Sequence, residues 1–123
     1  MRWIVDGMNV IGSRPDGWWR DRPAAMRSLV EALDAFVARG GDPVTVVFDG
    51  KPFQLEGGEG VTVLFATRRG PNAADHDIAE LAERDEEPSG LSVVTSDADL
   101  AGRVRGAGAS VVGAGEFRRR LDG

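Results

Sequence analysis

The sequence has no cysteine and a single histidine, His76. The first absence excludes a disulfide framework and any thiolate zinc site, and the second excludes a histidine-built metal centre. Any metal ion here must be held by oxygen. Long apolar runs are missing too: none approaches the roughly 18 to 20 residues needed to cross a bilayer, and the apolar segment within Met1–Asp6 is far too short for a signal peptide. A cytoplasmic protein with no membrane partner is the expectation. No glycine-rich loop ends in Lys-Ser or Lys-Thr, which argues against a nucleoside triphosphatase. Positive charge is in deficit, with 15 basic against 20 acidic residues, a net charge of −5 and a pI near 4.8. That balance argues against a broad nucleic-acid-binding face, because Lys and Arg supply most non-specific affinity for phosphate. Yet 14 of the basic residues are arginine, the side chain best suited to bidentate phosphate contact and base stacking. Arg14, Arg20, Arg22 and Arg27 share one segment, and Arg68-Arg69 stand together in another.

What is present, 123 residues with 41% hydrophobic and 28% charged, is ordinary for one globular domain spanning residues 1–123. Trp3-Ile4-Val5 is a short buried strand that stops at Asp6-Gly7, and Met8 to Gly12 then runs along a packed surface around a single polar residue, Asn9. Ser13 to Arg22 is a loop carrying adjacent Trp18 and Trp19. Asp21 caps a helix with Pro23 in its first turn, and apolar residues at 26, 29, 30, 33, 36 and 37 keep the helical period until Gly40-Gly41. Val44 to Phe48 is a second strand, again ending in Asp-Gly at Asp49-Gly50. A glycine-rich connection, Lys51 to Gly60, leads to a strand at Val61 to Phe65, a basic turn at Ala66 to Asn72 and a helix over Ala73 to Glu86. Leu91 to Thr95 is a fourth strand, Ser96 caps a helix reaching Gly106, Ser110 to Val112 is a fifth strand, and Glu116 to Leu121 is a final helix. The stretch Gly106 to Ala109 follows a helix and precedes a strand, the wrong order for a phosphate loop.

Strands alternating with helices predict a mainly parallel central sheet in a three-layer, Rossmann-like α/β/α sandwich. In such sheets ligands bind beyond the carboxyl ends of the strands. Asp6, Asp49 and Asp97 all stand at such ends, so the fold gathers carboxylates from distant positions onto one edge. Any one of them alone reads as a turn residue or a helix-start acid; three on one edge imply a held cation or a shared proton. With Ile78 centred on its helix's buried face, Asp75 falls about 60° from that centre and Asp77 about 100° away on the other flank. Asp75 is therefore the candidate and His76 points to solvent. Asp99 is a helix-start acid or a further ligand, and Asn9 either satisfies local backbone or serves the site. Trp18 and Trp19 read as core or as stacking surfaces for single-stranded bases, and Arg118-Arg119-Arg120 as a solvated helix face.

Four motifs in order, Asp6-Gly7-x-Asn9-x-Ile11, Val46-Val47-Phe48-Asp49, Ala74-Asp75-x-x-Ile78 and Val93-Val94-Thr95-Ser96-Asp97, together resemble the NYN domains of the PIN-like nuclease superfamily, in particular the YacP-like branch. The resemblance covers nearly the whole chain. It implies a PIN-like sandwich and a metal-dependent ribonuclease in which Asp6, Asp75 and Asp97, aided by Asn9, carry the chemistry and Asp49 and Asp99 supplement the metal ligands. Oxygen donors suit Mg²⁺ or Mn²⁺, which serve to activate water at a phosphodiester. The partner implied by the resemblance is RNA, expected to be single-stranded and met by Arg14, Trp18, Trp19, Arg20, Arg68 and Arg69; a homodimer is left open. The chain departs from the pattern at Ala79, where such domains often carry an acid after the helix isoleucine. Two rival classes are a non-catalytic RNA-binding or protein-interaction module, and an aspartyl-nucleophile phosphohydrolase. The latter commonly has a second acid two residues after the first, where this chain has Met8.

Overall fold

The computed structural model describes residues 1–123. Its sheet contains β1 (Arg2–Asp6), β2 (Val44–Phe48), β3 (Val61–Phe65), β4 (Leu91–Val94) and β5 (Ser110–Val112), all parallel and ordered β3-β2-β1-β4-β5. Alternate residues of β1 feed opposite faces, as the period of two requires. Trp3 and Val5 join a core with α1 (Gly7–Gly12), α2 (Arg22–Gly40) and α5 (Ala114–Asp122), whereas Ile4 joins a second core with α3 (Ala73–Arg84) and α4 (Ala98–Gly106). The result is the α/β/α sandwich that the strand and helix pattern predicts. The central strands β1, β2 and β4 are buried almost throughout, which explains why their sequences read as near-continuous apolar runs.

The start of α2 follows its sequence signals closely. Asp21 accepts a hydrogen bond from the Ala24 amide at 3.1 Å, Pro23 occupies the first turn, and Gly41 ends the helix at φ 79°. Four boundaries differ from expectation. Residues 7–12 are a helix rather than an irregular run; α1 is six residues long and buries only Gly7, Val10 and Ile11, too few positions for a 3.6-residue period to show. Trp18–Arg20 form a 3₁₀ turn inside the expected loop. The helix expected to reach Glu86 stops at Arg84, because Asp85 leaves the helix to meet Arg2 through two hydrogen bonds of 2.5 and 3.0 Å. The last helix begins at Ala114, whose amide donates to Ser96 Oγ at 2.9 Å. Ser96 is thus not the cap of α4. That cap is Asp97, which accepts from the Leu100 amide at 2.9 Å.

Gly7 is where the chain most needs a missing side chain. A Cβ there would lie 2.5 Å from the Phe48 ring and 3.1 Å from Val46, so only glycine lets α1 pack against β2 directly after the turn out of β1. Phe48 is completely buried, and its ring cannot yield without opening the core. This close approach sets where Asp6 and Asn9, on either side of Gly7, are delivered.

Candidate active site

The chain leaves β1 for β2 on one side, and β4 docks against β1 on the other, so the order of connections reverses between β1 and β4. A crevice opens beyond the carboxyl ends of the strands at such a reversal. Asp6 ends β1 at this point and is only 4% exposed. Just past β4, Thr95 Oγ1 donates to Asp6 Oδ2 at 3.2 Å and accepts from the Asp97 amide at 3.1 Å. The Thr95 hydroxyl therefore ties the first acid to the loop bearing another. Asn9 Oδ1 accepts from the Ser96 amide at 2.8 Å, fixing that loop to α1. On the other side, Asp49 Oδ1 accepts from the Ala74 amide at 2.7 Å and holds the start of α3 against β2. Asp75 follows in the first turn of that helix, half-buried.

Five carboxylates consequently share one field. The Asp6 carboxyl is pushed up to about 7, first by burial and then by the charge of Asp75, with Asp49 adding to the rise; the Thr95 hydroxyl and the Asn9 main-chain amide pull it back. Asp75 rises to about 6, through burial and then through Asp97, Asp49 and Asp99 in that order. None of the five forms an ion pair with an arginine or lysine of the chain. Their oxygens are the donor type that Mg²⁺ and Mn²⁺ prefer, and the excess negative charge is of the sign a cation relieves. In donor chemistry and charge the cluster fits a hard divalent ion. The side chains are not drawn into a closed ligand set: no group of three or more Asp, Glu or His is assembled closely enough to grip a metal. One oxygen each of Asp49 and Asp97 is spent on a helix amide.

The profile of the YacP-like NYN domain matches residues 3–123. The chain belongs to this family. Among solved structures, it is similar to Rae1 (YacP) from Bacillus subtilis, with 26% identity and a TM-score of 0.82 over 99% of this chain and 74% of that one. A mutant of the same protein gives 28% identity and a TM-score of 0.81, covering 99% of this chain and 76% of the other. A comparison with curated proteins found no match.

Within this NYN domain the other expected site residues lie in several surroundings. Asp99 is exposed in the first turn of α4. Ala79 is completely buried in the core beneath α3, so an acid there would enter packed apolar surroundings. Asp77 is held by the Thr67 amide and hydroxyl at 2.7 and 2.8 Å, and His76 lies 3.6 Å from Glu80. Arg14 is paired with Asp122 at the end of α5. Trp18 packs partly against the core, while Trp19 is 56% exposed and meets it edge-on at 5.9 Å. Arg20 and Arg68 are exposed, and Arg69 donates to the Gly50 carbonyl at 3.2 Å. The sequence assigns no site role to Thr95, and it groups Arg22 with Arg14, Arg20 and Arg27 as a basic cluster without placing it at a particular acid. The signal for Thr95 was a lone hydroxyl closing an apolar strand directly before the Ser-Asp pair. Membership of the Arg14–Arg27 arginine cluster does not place Arg22 beside the acids, since its position depends on contact with Asp49, 27 residues away.

Proposed function

We propose that this domain is a metal-dependent ribonuclease that hydrolyses phosphodiester bonds of single-stranded RNA in the cytoplasm. The observation that carries the reading is the acid cluster at the β1–β4 crevice, unmatched by any cation of the chain, in which Asp6 is pushed up to about 7. Asp6, Asp75 and Asp97 would hold Mg²⁺ or Mn²⁺, with Asp49 and Asp99 bonding directly or through water. A bound ion supplies water activation and neutralises charge on the phosphate and leaving oxygen. Everything else belongs to the chain. Thr95 orients Asp6 and lowers its proton affinity, and Asp6 must give up its proton before it can ligate, so affinity for the ion rises with pH. Asn9 holds the Asp97 loop through Ser96 and leaves its amide nitrogen for a phosphate oxygen. Arg20, Arg68, Arg69 and the Trp18-Trp19 turn would hold the strand by phosphate contact and stacking.

The absence of an assembled ligand set, together with Ala79, favours a second reading, an RNA-binding or protein-interaction module that does not cut. The two readings part in a cleavage assay on unstructured RNA with Mn²⁺, Mg²⁺ or EDTA. Cutting that requires the ion supports the nuclease; stable binding with intact RNA at millimolar Mn²⁺ supports the module.

A further inference from the structure

Beside the acid cluster the surface sinks into a pocket of about 320 Å³, bounded by Met8, Trp18, Arg22, the Asp49-Gly50 turn and the Gly70–Asn72 turn. Its volume lies at the small end of ligand pockets, which run from about 300 to 1,000 Å³. Asp49 both lines this pocket and raises the proton affinity of Asp6 and Asp75, so pocket and cluster are contiguous.

One guanidinium group lines the pocket and a second is held against its Gly50 wall, each by a neighbouring main-chain carbonyl. Arg22 Nη2 donates to the Asp49 carbonyl at 2.9 Å, and Arg69 Nη1 donates to the Gly50 carbonyl at 3.2 Å. Neither takes part in an ion pair, unlike Arg14 and Arg118, which face Asp122 and Asp16. Each has spent part of a five-donor fork on orientation and keeps the remaining donors and its full charge. The backbone is shaped around them. Gly50 sits at φ 100°, where a Cβ would stand 3.3 Å from Arg22 Nη2, so glycine at this turn leaves Arg22 its position. Gly70 at φ 111° and Asn72 at φ 60° add left-handed backbone to the wall, and Trp18, half-buried, contributes an aromatic surface to the lining. Oriented but unneutralised cations together with an aromatic surface match a phosphate and a base rather than an apolar ligand.

We propose that this pocket is a nucleotide subsite, in which Arg22 and Arg69 hold an RNA phosphate and Trp18 stacks on the base of the nucleotide next to the bond being cut. The proposal rests on the ribonuclease reading and extends it: cutting then requires an unpaired nucleotide on the pocket's side, because a base within a duplex cannot reach Trp18. Arg22 is a positioning residue in this account, acting on where the strand lies.

The test uses short fluorescent single-stranded RNA, read by anisotropy on the Asp6→Asn background and by cleavage on the parent background with Mn²⁺. Arg22→Ala should weaken binding of all sequences several-fold, lower the salt slope by about 0.7, and raise KM more than it lowers kcat. Arg22→Lys should restore part of the binding. Trp18→Ala should weaken binding roughly tenfold and Trp18→Phe much less, with melting curves of every variant showing that the fold persists. RNA with one abasic nucleotide should erase the effect of Trp18→Ala when the gap falls next to the cut and nowhere else. A parent chain that cuts RNA while Arg22→Ala and Trp18→Ala bind and cut equally well would overturn the subsite alone. A parent chain that binds RNA without cutting would overturn the ribonuclease reading and with it the proposed adjacency to a cleaved bond.

Discussion

Asp6 is the most strongly perturbed acid of the cluster, because its carboxyl is nearly sealed from water and stands in the field of Asp75. Its folded-state value near 7 against an ordinary 3.8 means the native state binds a proton more tightly than the unfolded chain. The metal-free protein should therefore lose stability as pH rises from about 4 to about 7 and level off above that. Asp75 acts in the same direction up to about 6. Asp6→Asn should stabilise the metal-free protein most at pH 8 and least at pH 4, by an amount on the order of 2–4 kcal/mol at the alkaline end; denaturation across that range decides it, and an equal gain at both ends would contradict the assignment. Thr95→Val should move the Asp6 titration higher and cost about 1–3 kcal/mol, measurable by carboxyl NMR. At this scale the sequence was legible where chemistry and position coincide. Asp6, Asp49, Asp75 and Asp97 are acids at strand ends or a helix start, and each is found at the same edge. The role of Thr95 and the place of Arg22 beside Asp49 were not legible, since both depend on groups distant along the chain.

Among the elements, α1 is the one whose form the sequence conceals and whose placement matters most to the site. Gly7→Ala should cost about 1–3 kcal/mol in urea unfolding, the range for forcing extra volume into a packed core. Its penalty should shrink when combined with Phe48→Leu, because both changes concern one contact of 2.5 Å. The cap of α4 separates structure from chemistry. Asn caps a helix as well as Asp does, so Asp97→Asn should leave the metal-free melt unchanged or raised while abolishing any rise caused by Mn²⁺. Persistence of that rise would remove Asp97 from the ligands. The strands and α2 were readable because their burial pattern and end residues are local. The starts of α4 and α5 were less legible, since Ser96 Oγ accepts from the Ala114 amide at the start of α5 and Asp97, not Ser96, caps α4.

For the whole molecule, the topology turns an acidic chain with a net charge of −5 into one with a concentrated negative edge rimmed by arginines. A cation binding only the native state should stabilise it by mass action, about 2.7 kcal/mol at a hundredfold excess over its dissociation constant. That shift should grow between pH 6 and pH 8 as Asp6 deprotonates; a melting curve indifferent to millimolar Mn²⁺ at pH 8 would contradict a metal site. The most direct measurement compares the parent chain with Asp6→Asn on one single-stranded RNA in Mn²⁺, following binding and cleavage together. The parent should cut and EDTA should stop it, whereas Asp6→Asn should bind as well or more tightly but leave the RNA whole. Cleavage by Asp6→Asn with the same metal dependence would contradict this.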